Sequence, residues 1–239
     1  MEALFGRSDL FPVGIGATCH VGISLFELYA EARKVYPRSV FDHMEIPMWA
    51  VCELVESQFA NLLDRTLFKP IRRIRFKDNV WMTHCQYNIR FNGILGIDLG
   101  TEQTTIEDSR WDVVTSFYTK QIAAWTELLE TKTPLVLFRL EYESPPDTML
   151  YPQFYKPEPE LLHLERFAKW LSSRGVPYHI VWFSKQINET SYDPQLKISK
   201  IPYQTGKPGD ILNGDQLASH IKRFLPFLQA TLEQSIPHD

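Results

Sequence analysis

The spacing of apolar and polar positions predicts strands and amphipathic helices in turn along this chain. Residues 13–15 form a short apolar run that suits a first strand, and residues 21–34 follow it as a helix. Tyr36-Pro37-Arg38-Ser39 breaks that helix, and Phe41-Asp42-His43 is a polar-aromatic loop. Residues 47–63 are expected as a second helix, because proline suits a first helical turn and Trp49, Cys52, Val55, Phe59 and Leu63 recur at helical spacing. Residues 71–76 and 80–89 alternate like strands, with Asp78-Asn79 as the hairpin turn between them. Glycines at 93, 96 and 100 mark an irregular stretch that ends near Glu107.

The second half is more regular. Residues 111–129 read as an amphipathic helix, with Val114, Phe117, Ile122, Trp125 and Leu129 along it. Residues 134–140 are a continuous apolar run bounded by breakers, which suits a strand buried on both faces of a parallel sheet. Residues 145–159 hold five prolines and are expected as a long loop. Residues 160–173 form a helix closed by Gly175, and residues 176–183 form another buried strand. Residues 184–209 are irregular, with a strand at 197–201. The last helix covers residues 215–232, with Asp215 as its N-cap and a kink or restart at Pro226.

Strands alternating with helices predict an α/β fold. The expected form is a doubly wound, mostly parallel sheet with helices on both faces, of Rossmann- or SGNH-like type. No repeat, low-complexity tract or composition shift divides the chain, so residues 1–239 are expected as one domain. Ligands bind beyond the carboxyl ends of strands in such sheets. That rule picks out residues 16–20, 139–143 and 184–188.

Composition narrows the function classes. The net charge is −4 with no basic run, so nothing marks a nucleic-acid surface. No apolar stretch approaches the roughly 20 residues needed to span a bilayer, so no membrane partner is expected. The first residues lack a basic and then apolar leader, and the three scattered cysteines, Cys19, Cys52 and Cys85, do not make a disulfide framework. A cytoplasmic location is expected.

Cys19 carries the sharpest chemistry, since it falls where the first long helix begins. A thiol there feels the positive end of the helix dipole and nearby free N–H groups, and both favour the thiolate. The same turn offers amides for an oxyanion, which brings in Gly16, Thr18 and His20. The competing reading is a small apolar residue packing the first turn. A cysteine nucleophile needs a base. His84 sits on a predicted strand, His43 adjoins Asp42, and His220 lies five residues after Asp215; His20 adjoins Cys19 and is expected to point away from it. Cys19-His20 and His84-Cys85 are adjacent pairs, unlike the two-to-four-residue spacing of zinc ligands, so no metal is expected. Gly14-x-Gly16 does not complete a dinucleotide fingerprint, and no cofactor is expected. Arg139 and Glu141 stand where a buried strand emerges. They are read either as substrate-binding charges or as the strand's exit into solvent.

Val13-Gly-Ile-Gly-Ala-Thr-Cys19 resembles the Leu-Gly-Ser-x-Cys opening of an uncharacterised bacterial family described as papain-like cysteine peptidases. Val40-Phe41-Asp42-His43 resembles that family's Pro-Phe-Asp-Trp, with His43 in place of Trp, and Gln58–Leu63 follows as its Phe-Leu/Asn text does. Trp81-Met-Thr-His84 resembles its His-bearing strand, with Cys85 where an acid is common. Residues 125–139 resemble its helix and apolar strand ending in Arg, and Gly214-Asp215 its Gly-Asp before the last helix. The resemblance implies Cys19 as nucleophile, His84 as base and Asp42 as a supporting acid. The chain lacks the Cys-Gly-Ser-Cys-Trp of papain itself. A nucleophile after the first strand is also similar to the SGNH/GDSL hydrolases, which would turn to Asp215 and His220.

Both likenesses imply acyl transfer or hydrolysis of an amide, ester or thioester in a small-molecule or peptide substrate. The alternatives are a Rossmann-like transferase in which Arg139 binds an anionic group, and a non-catalytic binding module with a structural Cys19.

Overall fold

The computed structural model describes residues 2–7, 9–16, 19–42, 44–72, 80–87, 89–91, 106, 108–141, 158–205 and 212–236. The chain opens with α1 (Glu2–Phe5), β1 (Phe11–Gly14) and α2 (Cys19–Glu31), then β2 (Met44–Glu45) and α3 (Met48–Glu56). Three strands follow, β3 (Phe68–Arg72), β4 (Val80–His84) and β5 (Ile89–Phe91). The remainder is α4 (Asp108–Glu130), β6 (Leu135–Leu140), α5 (Glu160–Ser173), β7 (Tyr178–Ser184), β8 (Ser191–Asp193), β9 (Ile198–Pro202) and α6 (Gly214–Ser235).

The fold is α/β, built on a five-stranded, mostly parallel sheet in the order β1-β6-β7-β9-β8. Leu135 of β6 pairs with Phe11 of β1 and with Tyr178 of β7, so the three apolar runs expected to be neighbours are neighbours. All six residues of β6 are buried because both faces of the strand are covered. Val136, Phe138 and Leu140 face a core shared with α1, α2 and α6. Leu135 and Leu137 face the opposite core, shared with α3, α4, α5 and the small sheet. β8, absent from the sequence expectation, closes one edge antiparallel to β9.

At the other edge β1 pairs only with β6 among the described residues, and its outward polar groups are met by side chains. Pro12 has no N–H to offer, and its carbonyl accepts from Tyr29 Oη at 3.1 Å. The Gly14 N–H donates to Tyr36 Oη at 3.4 Å. Side chains thus blunt this edge at Pro12 and Gly14.

Several local expectations are corrected. The second helix stops at Glu56, because Gln58, Phe59 and Asn61 take left-handed φ values of 55°, 61° and 64°. Phe59 still reaches the core and Leu63 packs against it, which is why their spacing imitated helix. The two strand-like segments from Ile71 to Ile89 join Met44–Glu45 in a second sheet, four antiparallel strands in the order β2-β5-β4-β3. Asn213, not Asp215, caps α6, in a capping box with Gln216. Pro226 does not interrupt α6; it sits on the exposed side, where its missing N–H needs no buried partner. The Asp78-Asn79 turn, the glycine-marked stretch and most of the proline-rich loop lie outside the described residues.

No helix among the described residues is long and apolar enough to cross a membrane.

Candidate functional site

The carboxyl ends of β1, β6 and β7 lie side by side. Beyond the strands, the Ile15 N–H donates to the Phe138 carbonyl at 3.0 Å and the Glu141 N–H to the Phe183 carbonyl at 2.8 Å. Gly16, Arg139, Glu141 and Ser184 therefore converge on one edge.

Gly16 makes the turn from β1 into α2. It has φ +75°, and a Cβ there would stand 2.3 Å from Ile46 Cγ2, so only glycine fits. Cys19 is the first residue of α2. Its side chain lies outside the described residues, as do Thr18 and His43.

Arg139 is fully buried. Nε and Nη2 bind the two carboxylate oxygens of Glu160 at 2.9 and 3.2 Å, and Nη1 donates to the carbonyls of Ile15 and Ile46, both at 3.0 Å. One guanidinium thus ties the β1–α2 turn, the end of β2 and the first turn of α5 together. This geometry makes Arg139 a clamp of the site's frame, with four of its five N–H donors engaged. Glu141 is also buried, and its Oε2 accepts from Ser184 Oγ at 2.8 Å and the Lys185 N–H at 3.0 Å. Both residues stand at the strand's end as expected, yet neither emerges into solvent.

Asp42 lies under the first turns of α2. Its Oδ1 accepts from Tyr36 Oη at 2.8 Å and its Oδ2 from the Ser39 N–H at 2.6 Å. A Cβ on Gly14 or on Gly22 would come within 2.9 Å of Asp42, so β1 and α2 rest directly on this side chain. Burial raises its carboxyl to about 7, against the opposing pull of those two hydrogen bonds and of Arg38. Tyr36, which sequence reasoning passed over as a helix breaker, accepts from Gly14 and donates to Asp42.

The histidines divide between two places. His84 belongs to the small sheet: its Nε2 lies 2.8 Å from the Asn61 carbonyl, and its ring stacks on Tyr87 and meets Phe68 edge-on. Nδ1 is buried and has no hydrogen-bond partner among the described residues, and burial lowers the pKa of the ring. No hydrogen bond among the described residues joins His84 to Asp42. His20 and His220 lie along the α2–α6 seam. His20 Nδ1 is 2.9 Å from the Leu212 carbonyl, and Ser24 Oγ donates to the carbonyls of His20 and Gly214 at 2.6 and 2.9 Å. Asp215 hydrogen-bonds Glu27, whose pKa rises through burial and that contact. His220 Nε2 lies 2.9 Å from the Pro202 carbonyl, and burial lowers its pKa. The seam brings the start of α2 to the start of α6, so His20 and Asp215 fall in one neighbourhood and His220 lies farther along the same helix.

His179, which had nothing to commend it in the sequence, is the centre of a buried network. Its two ring nitrogens lie 2.5 Å from Ser235 Oγ and 2.9 Å from Ser199 Oγ, and Ser199 reaches Thr231 Oγ1 at 3.0 Å. Full burial lowers its pKa to about 3, so the network pins α6 to the sheet in neutral form.

Two grooves, of about 400 and 350 Å³, flank Trp125 at the opposite, amino end of the sheet. No group of three or more His, Cys, Asp and Glu among the described residues is arranged to hold a metal ion. No family model, curated protein or solved structure matches the chain.

Proposed function

We propose that the chain is a cysteine-dependent acyl hydrolase or acyltransferase acting on an amide, ester or thioester of a small molecule or peptide, with Cys19 as the nucleophile. One observation carries the reading. Cys19 is the first residue of α2, reached from β1 through the Gly16 turn at the carboxyl edge of the parallel sheet. A helix N-terminus favours the thiolate, and its free amides would hold an oxyanion. Arg139 and Glu141 support that frame from the neighbouring strand.

The base is proposed as His84 first and His220 second. The buried Nδ1 of His84, with no partner among the described residues, supports the first. The approach of α2 to α6 at Ser24 and Gly214 supports the second, with Asp215 as its acid. The doubly wound, Rossmann- or SGNH-like form of the fold rests on the helices that cover both faces. It would require a further strand outside β1, because the described strand order runs one way from it. A cytoplasmic location goes with this reading.

Labelling with iodoacetamide at pH 6.5, followed by peptide mapping, tests the nucleophile. Cys52 is the internal reference: its Sγ donates to the His163 carbonyl, and burial pushes its thiol up to about 12. Cys19 should label at least about tenfold faster, as a depressed thiol pKa requires. Equal or slower labelling overturns the reading. His84→Ala should raise the Cys19 pKa if His84 holds its proton, and His220→Ala should raise it if the SGNH-like arrangement holds.

A specific observation favours a second reading, a binding module with an inert Cys19. His20, His84, His179 and His220 each have a ring nitrogen within hydrogen-bond distance of a carbonyl or hydroxyl. The transferase version, with Arg139 holding an anion, is weaker, since Glu160 already neutralises that charge.

A further inference from the structure

β1 and α2 each meet the Asp42 side chain through a glycine, Gly14 and Gly22, that leaves room for it, and Val21 of α2 also packs at Gly14. Gly22 lies one turn beyond Cys19 on α2, and Gly14 is two residues before the Gly16 turn. The carboxyl group is therefore a spacer between the strand that leads to Cys19 and the helix that begins with it.

Its hydrogen bonds depend on its proton. As a carboxylate, Asp42 accepts from Tyr36 Oη and from the Ser39 N–H, and Tyr36 is left free to accept from the Gly14 N–H. A proton on Oδ1 turns that oxygen into a donor facing the Tyr36 oxygen 2.8 Å away. The Tyr36–Asp42 bond then reverses, and the tyrosine hydroxyl must turn its own hydrogen away in a buried site. That rearrangement acts directly on the Gly14 amide. Among the described residues, the titratable and charged groups near Asp42 are Tyr36 and Arg38 on its own loop, Tyr29 on α2 beyond Tyr36, and Tyr118 on α4; β1 offers only Gly14. Burial holds all three phenols protonated across the neutral range. Arg38 is exposed. Asp42 is thus the one of these groups that changes charge there.

We propose that Asp42 is a proton-operated pin, coupling ambient pH to the seat of α2 on β1 and through it to the reactivity of Cys19. The link to Cys19 rests on the nucleophile reading above; the pin itself does not.

Two readouts in the full chain keep the two apart. The first is the rate of Cys19 alkylation by iodoacetamide from pH 5 to 9, in the wild type, Asp42→Asn and Tyr36→Phe. The wild type should show a step near pH 7, on the order of threefold, besides the rise of the thiolate itself. Asp42→Asn should remove that step. Tyr36→Phe takes a donor from the carboxylate and should move the step to higher pH. The second readout is hydrogen exchange of the amides in the first turns of α2, corrected for intrinsic rates. Protection should change through pH 7 in the wild type and stay level in Asp42→Asn. If Asp42→Asn does not fold, the Tyr36→Phe shift in both readouts carries the test. Profiles that superimpose across the folded variants, in exchange as in labelling, overturn the pin. A pH-dependent protection with a Cys19 that labels no faster than Cys52 keeps the pin and overturns the nucleophile.

Discussion

Replacing Arg139 with Met is expected to destabilise the protein by about 3–5 kcal/mol, the usual cost of removing one partner of a buried ion pair. The change leaves Glu160 without the guanidinium that meets both its oxygens, and it strips a donor from the carbonyls of Ile15 and Ile46. Methionine fills much the same volume, so the loss is electrostatic and not a cavity. Arg139→Lys should fall between the two, because an ammonium keeps the charge but cannot form the two-pronged contact while reaching both carbonyls. Adding Glu160→Gln to Arg139→Met should recover part of the loss, since the uncompensated charge is gone. Chemical denaturation of the three variants measures each step. A loss under about 1 kcal/mol for Arg139→Met would show that the clamp does not hold the frame.

The second large effect is in the pH dependence of stability, where two buried groups oppose each other. His179 has its pKa lowered to about 3 in the folded chain, against an ordinary value of 6.5. Between those values the unfolded chain binds more protons at this site, so its contribution to stability is complete above pH 6.5 and is lost as pH falls toward 3. Asp42 is raised to about 7 from 3.8, so the folded chain holds the extra proton. Its contribution is complete below pH 3.8 and is lost as pH rises toward 7. Near pH 5 the two slopes, each at most about 1.4 kcal/mol per pH unit, cancel. Asp42→Asn should therefore make stability rise with pH by up to about 1.4 kcal/mol per unit more than in the wild type. His179→Gln should tilt the dependence as far the other way. The buried His84 and the half-buried His220 add their own rise with pH to every variant, so the differences from wild type are what count. Denaturant midpoints from pH 4 to 6.5 give the slopes directly. Parallel curves for wild type and Asp42→Asn would mean that Asp42 titrates normally.

The sequence by itself determined the elements whose signals are local. The apolar run Leu135–Phe138 that opens β6 announced a strand buried on both faces, and Gly175, with φ +65°, ended α5 where the spacing placed its stop. The strand–glycine–helix order at Gly16 and Cys19 was equally plain, which is why the start of α2 was legible before any coordinate. Burial leaves a period of two or of 3.6 in the residues, and a glycine turn leaves a glycine.

The tertiary structure decided which residues meet. β2 and β5 are only two and three residues long and take their stability from pairing, so nothing local showed that the expected hairpin belongs to a second sheet. Phe59 and Leu63 kept helical spacing after the helix had ended, because a loop can deliver side chains to the same core. Arg139 was visible as a charge at a strand's end, but its partner Glu160 lies 21 residues on and its carbonyls belong to two other segments. Tyr36 and His179 had no motif at all. Their roles come from Gly14 and Asp42 in one case, and from Ser199 and Ser235 in the other. A hydrogen bond between distant segments exists only once packing has excluded water from both partners, and no residue carries that information alone.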